Sequence, residues 1–237
     1  MNESTLLVLC ITALSVGFIH TLIGPDHYLP FIVMSKARNW SLRKTMWLTF
    51  ACGLGHVLSS VILGLLGVVL GIALGKLAAF EAARGSYAAQ AMMIFGFTYC
   101  IWGIWRAIKN KPHTHTHQHN DSAKHFHQHV HTHAHSHVHE SNGKNITPWV
   151  LFTIFVLGPC EPLIPMLMVP AAQHSIFGTV LVATVFSVAT IATMMSIVLV
   201  SSWGISFVKL GKIERYAHAL AGATILISGA AIQVLGL

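Results

Sequence analysis

Charge is what this sequence has least of. Its 237 residues include 7 acidic and 14 basic side chains, 9% in all, where soluble domains carry about 25%. So few charges cannot cover a water-facing globular surface. Paired cysteines are missing too. Cys10, Cys52, Cys100 and Cys160 stand singly in or beside apolar runs and no Cys-x-x-Cys occurs, which supports neither a disulfide framework nor a zinc ribbon. No basic patch interleaved with aromatics marks a nucleic-acid face. The His-Glu-x-x-His pair of a metalloprotease is absent, and so is the Gly-x4-Gly-Lys-Ser/Thr phosphate loop. An enzyme is not expected, nor direct ATP coupling within the chain. The start, Met1-Asn-Glu-Ser-Thr5, lacks a basic stretch, so the first apolar segment reads as a retained membrane helix rather than a cleaved signal.

What is abundant is apolar: 54% hydrophobic residues and a mean hydropathy of +0.66. Such a chain is measured in spans of about 20 residues. Six apolar segments are expected, at residues 5–34, 45–74, 88–108, 148–171, 176–205 and 217–237. The first is interrupted by Gly24, Pro25 and Pro30, and the fourth by Pro159, Pro162, Pro165 and Pro170. Twelve of the basic residues fall in or beside the gaps after segments one, three and five, against Lys76 and Arg84 in the other gaps. The positive-inside rule then puts both termini outside the cell membrane, an inner membrane by expectation, and the loop after segment three in the cytoplasm.

Segments one and four share a pattern. Gly24-Pro25-Asp26-His27 aligns with Gly158-Pro159-Cys160-Glu161 at an offset of 134, and the same offset sets Gly55-His56-x-x-Ser59 against Ala189-Thr190-x-x-Thr193. Three spans is an odd number, so two copies must insert with opposite topology, the design of secondary transporters with broken helices at their central site. The expected fold is an all-α membrane protein of six transmembrane helices in two inverted three-helix repeats, with helices 1 and 4 broken at Gly-Pro. Residues 1–110 form the first repeat, 111–146 a histidine-rich loop and 147–237 the second repeat.

Few ionisable side chains lie well inside the segments: His20, Asp26, His27, His56 and Glu161. Buried charge in a bilayer is costly, so such residues are functional candidates. A single histidine there is ordinarily a packing residue; three beside two carboxylates read as a site. In an unbroken helix His20 and His27 would stand about 10.5 Å apart along the axis, too far for one ion. An unwound Gly24-Pro25 turn would fold Asp26 and His27 back toward His20, and would free carbonyls such as those of Thr21 and Leu22 for a cation. Imidazoles with a carboxylate suit Ni²⁺, Co²⁺ or Zn²⁺ better than Mg²⁺ or Ca²⁺. Cys160, Ser59 and Thr190 are weaker candidates, since buried cysteine is usually a small hydrophobe. Met194 and Met195 read as packing. Glu3, Glu81, Asp121, Glu140 and Glu214 are expected at interfaces or in loops, and His174 and His218 at segment ends without a role.

The remaining twelve histidines are His113, His115, His117, His119, His125, His127, His129, His131, His133, His135, His137 and His139. They alternate with mostly small or polar residues. That stretch has no apolar face to bury, so it is expected to be disordered. Its interchangeable imidazoles suit a concentrator or buffer of metal ions.

His-Thr-Leu-Ile-Gly-Pro-Asp-His, residues 20–27, resembles the nickel/cobalt transporter superfamily. This group spans nickel–cobalt permeases, nickel/cobalt efflux proteins and the membrane proteins of urease clusters. Its signature sets four residues between a first-helix histidine and Asp-His; here there are five, Thr21 to Pro25. The His56 motif and the mid-chain histidine loop are also similar, especially to the six-helix efflux branch. The resemblance implies that His20, Asp26, His27 and His56 handle metal. A second likeness lies in Gly158-Pro-Cys160-Glu-Pro-Leu-Ile-Pro165, which resembles the proline-flanked cysteine of membrane thiol–disulfide carriers. That chemistry needs two cysteines, and the matching position in the first half is Asp26.

The leading expectation is therefore a secondary transporter for Ni²⁺ or Co²⁺, with Glu161 adding a second carboxylate and Asp26 or Glu161 exchanging a proton. No cofactor beyond the transported metal is expected. The partners are the bilayer, divalent metal ions and a cytoplasmic metallochaperone, with no nucleic acid. A zinc or other divalent-metal transporter is one alternative, and a membrane thiol–disulfide electron carrier is the alternative of another class.

Overall fold

An apolar chain has little water to satisfy its peptide groups, and a helix satisfies them within its own segment. The computed structural model describes residues 2–109, 115–117, 125–127, 146–206 and 211–235. Its helices are α1 (Glu3–Ile23), α2 (Leu29–Ala37), α3 (Leu42–Val69), α4 (Leu74–Lys109), α5 (Thr147–Leu157), α6 (Leu163–Ala172), α7 (Ile176–Ser206) and α8 (Ala217–Leu235). Short 3₁₀ turns at Pro25–His27 and Gly211–Tyr216 precede α2 and α8. Within the histidine-rich stretch, β1 (His115–His117) pairs antiparallel with β2 (His125–His127), a local pairing where the sequence suggests no regular structure. The other histidines of that stretch lie outside the described residues.

Among the described residues, five helical stretches are long and apolar enough to cross a membrane: Glu3–Ile23, Leu42–Val69, Leu74–Lys109, Ile176–Ile205 and Glu214–Val234. By rise per residue, α5 and α6 are about 16 and 15 Å long, each half of a roughly 30 Å hydrocarbon core. Leu7, Val8, Ile11, Leu14 and Phe18 of α1 are exposed. So continuous an apolar surface marks a lipid-facing helix rather than a wetted one.

Two segment boundaries differ from those read in the sequence. α3 stops at Val69, and Gly71 turns the chain with φ at +63°. α4 begins at Leu74, fourteen residues ahead of the expected start at 88. Lys76, Glu81 and Arg84 lower the hydropathy there, but Glu81 and Arg84 pair at 2.9 Å on one face, so the helix runs through them.

The helices pack α1 on α7, α3 on α5 and α7, and α4 on α8. The α4–α8 seam is made by small residues: a Cβ added at Gly96 would meet the backbone of Leu226, at Gly103 that of Ala219, and at Gly222 that of Cys100. Lipid tails supply no hydrophobic drive between helices, so such close backbone contact is what holds them. One apolar core gathers Ala13, Val57, Leu163, Leu167 and Phe186; another gathers Met34, Tyr99, Leu151 and Ile225. A third, of Phe31, Cys52, Phe155 and Met194, lies beside the chain breaks. At the far end of α4, Arg38 donates to Tyr99 Oη at 3.0 Å and to Thr147 Oγ1 at 2.7 Å. His218 Nε2 accepts from Arg106 at 3.3 Å, so its Nδ1 carries the proton and donates to Tyr99 Oη at 2.7 Å. That knot ties α2, α4, α5 and α8, and gives His218 a structural role the sequence did not assign it.

Candidate metal centre

α1 closes at Ile23, and Gly24 N donates to His20 O at 3.0 Å. Pro25 opens the 3₁₀ turn, where its fixed φ suits the first position. Gly24 itself has an ordinary φ of −80°. Its smallness matters for space instead: a Cβ there would stand 2.5 Å from His27 Nδ1 and 2.9 Å from Asp26 Oδ1. Asp26 and His27 fold back over it for that reason.

The fold-back brings three histidines together. The ring of His27 lies edge-on to that of His20, centroids 4.8 Å apart, and to that of His56 from α3, 5.1 Å apart. One ligand nitrogen from each lies within 4.8 Å of the others. His27 and His56 are 3% and 4% exposed. Nε2 of all three is buried without a hydrogen-bond partner, which is unusual, since buried polar atoms are nearly always satisfied.

The protonation pattern follows from the neighbours. His27 Nδ1 is 3.1 Å from Gly24 O and 3.2 Å from Asp26 Oδ1. His56 Nδ1 is 3.3 Å from Phe155 O. Carbonyl and carboxylate oxygens only accept, so Nδ1 carries the proton on both rings. Nε2 of each neutral ring is then left with a lone pair and no partner, the tautomer of a histidine that ligates metal through Nε2. Gly158 packs on His56: a Cβ there would be 3.4 Å from Nδ1.

The space between the rings is lined by His20, Asp26, His27 and His56, with Ala88 and Met92 of α4 and Phe155, Gly158 and Pro159 at the second break. It offers about 50 Å³. That is room for an ion together with a few waters.

The other candidates fall elsewhere. Glu161 is exposed and lines a neighbouring groove with Ile19, His20 and Pro162, outside the triad's cavity. Ser59 Oγ donates to His56 O at 2.8 Å, a bond within α3. Cys160 is fully buried in the core of Val57, Leu163 and Phe186. Thr190 is buried with its hydroxyl unpartnered, beside Gly17. The carbonyl of Leu22 accepts from Tyr28 Oη at 3.2 Å. Glu81, expected at an interface, is completely buried. The i,i+3 spacing of Glu81 and Arg84 within an Ala-rich apolar stretch is the signal that could have placed both inside a span.

A model of the cytochrome c biogenesis protein transmembrane region matches residues 29–231. The chain belongs to that family. This family member is accordingly a multi-pass membrane protein. The match takes in Cys160 and supports the likeness of residues 158–165 to membrane thiol–disulfide carriers; it gives no support to the nickel/cobalt resemblance. It begins after the first break, so His56 lies within the matched residues and His20, Asp26 and His27 lie ahead of them. No curated protein and no solved structure matches the chain.

Proposed function

We propose that this membrane protein carries a divalent transition metal, Ni²⁺ or Co²⁺ by preference and Zn²⁺ next, through the His20–His27–His56 triad. One observation carries this reading: three histidines, each with a buried Nε2 that has no partner, bring a ligand nitrogen within 4.8 Å of one another and line one small cavity. Three neutral imidazoles with an open fourth position suit a borderline cation that must be released again. Asp26 acts from behind, holding the His27 ring and supplying a negative charge next to the ion. Glu161 stands in the groove that shares His20 with the cavity, where it draws cations toward the triad and is a site for proton exchange.

In this reading α1 with α2, and α5 with α6, are the two broken spans of an inverted repeat, α5 and α6 together making the sixth crossing. Their rocking alternates access to the triad. Both termini lie outside the inner membrane and the histidine-rich stretch lies in the cytoplasm, where it buffers metal and meets a metallochaperone. In liposomes the protein is expected to move nickel or cobalt, read by an internal metal-quenched dye, and His27→Ala to abolish it. Transport unchanged in that variant would sink the assignment.

The family match favours a second reading, a carrier of electrons by thiol–disulfide exchange. Donor geometry speaks for the metal, family membership for the thiol. Exchange needs two thiols able to meet, and the four cysteines are free, with Asp26 where a first-half partner would sit. Cys160→Ser separates the two. Intact metal flux in that variant supports the first reading; loss of electron transfer across proteoliposomes with no metal flux in either protein supports the second.

A further inference from the structure

α5 ends at Leu157 and α6 begins at Leu163, so the last carbonyls of α5 lack partners along their own helix. Arg84 of α4 supplies them. Its Nε donates to Leu157 O at 3.1 Å and its Nη2 to Gly158 O at 2.8 Å. The same guanidinium gives Nη1 to Glu81 Oε1 at 2.9 Å, and the second Nη2 hydrogen is shared between the hydroxyls of Ser59 and Ser60, at 3.0 and 3.1 Å. Ser60 donates to Glu81 Oε2 at 3.4 Å and accepts the amide of Cys160 at 3.1 Å. Its one donor and two acceptor positions are thereby used.

A carboxylate, two carbonyls and two hydroxyls thus surround one positive group. In a membrane interior, unwound carbonyls with polar side chains are how a cation is held. Here the chain fills the cradle with its own guanidinium. α4 also presses on the break sterically, since a Cβ at Gly85 would stand 2.7 Å from Pro159 Cγ. Gly158 and Pro159 form a wall of the triad cavity on one side, and Cys160 lies behind them.

We propose that Arg84, anchored by Glu81, is a tethered cation that latches the Leu157–Cys160 turn against α4 and so closes this wall of the cavity. Release of the guanidinium frees the turn and opens both the cavity and Cys160. Lysine cannot substitute, because a point charge does not span two carbonyls and a carboxylate as the planar fork does. The inference stands on the hydrogen bonds and holds for either cargo.

Cysteine labelling tests it independently of transport. Cys160 and Cys52 are 0% and 1% exposed, and Cys52 belongs to a different core, so it reports on general unfolding. Full-length protein in lipid nanodiscs is treated with a hydrophilic methanethiosulfonate, and the modified cysteines are located by peptide mass spectrometry. Both cysteines are expected to stay protected in the wild type. In Arg84→Lys and Arg84→Ala, Cys160 is expected to react at least about tenfold faster, the scale of one or two lost charge-assisted hydrogen bonds, with Cys52 still protected. Millimolar guanidinium is expected to restore protection in Arg84→Ala. Protection of Cys160 in both variants overturns the latch. So does joint labelling of Cys52 and Cys160 in both, which makes the pair a fold-holding bridge. Labelling that guanidinium leaves unchanged overturns the tethered-cation role.

Discussion

His56 Nδ1 donates to Phe155 O across 3.3 Å, joining a triad histidine on α3 to the end of α5. Through that bond the second chain break orients a side chain whose ring neighbour, His27, sits at the first. The triad is therefore a joint property of the two breaks, although its three histidines all lie in the first 56 residues.

Direct ligands should show the largest effect on binding. His27→Ala and His56→Gln are each expected to weaken Ni²⁺ or Co²⁺ binding more than about 100-fold, beyond the range usual for partners one bond further out. Equilibrium dialysis of the purified protein reads this. Binding at wild-type strength in either variant removes that residue from the site.

Asp26 tests the layer behind the ligands. Asp26→Asn keeps the shape but removes the charge facing His27 Nδ1, and a loss of about 10- to 100-fold in metal affinity is expected. Thermal unfolding should change little, since Asp26 is partly exposed. Unchanged affinity would mean that Gly24 O alone holds the ring.

Removal of residues 113–139 separates buffering from transport. The deletion is expected to lower the number of metal ions bound per chain while the triad still binds one. Plasma emission spectroscopy after gel filtration gives the count. A deletion variant that binds no metal at all would move the site from the membrane to the loop.

The α4–α8 seam predicts a purely structural cost. Gly103→Ala places a methyl group against the backbone of Ala219, which cannot yield as a side-chain tip can. Destabilisation of about 1–3 kcal/mol is expected from such overpacking, read as a lower unfolding temperature in detergent. Gly75→Ala, where a Cβ meets nothing within 4 Å, serves as the control.

Much of the site is legible in the sequence. His20, Asp26, His27 and His56 stand out because ionisable groups are rare in apolar segments, and Gly24-Pro25 marks where the helix yields. Glu161 reads as an equal partner because it aligns with His27 at the repeat offset. Alignment gives its place in the chain but not the face it occupies, and it lies in the outer groove. Arg84 and Glu81 are hidden for the opposite reason. Hydropathy averages each residue separately, so two charges that cancel by touching look like the edge of a span.

The order of the residues is enough to say that the chain lives in a membrane, where its helices break and which side chains are too polar to sit there idly. Those properties are local: an apolar run, a glycine before a proline, an imidazole among leucines. Only the packed helices settle that the three imidazoles meet, that Asp26 stands against His27 and that Arg84 caps the second break. Each of these depends on distances between segments far apart in the chain, and packing sets those distances.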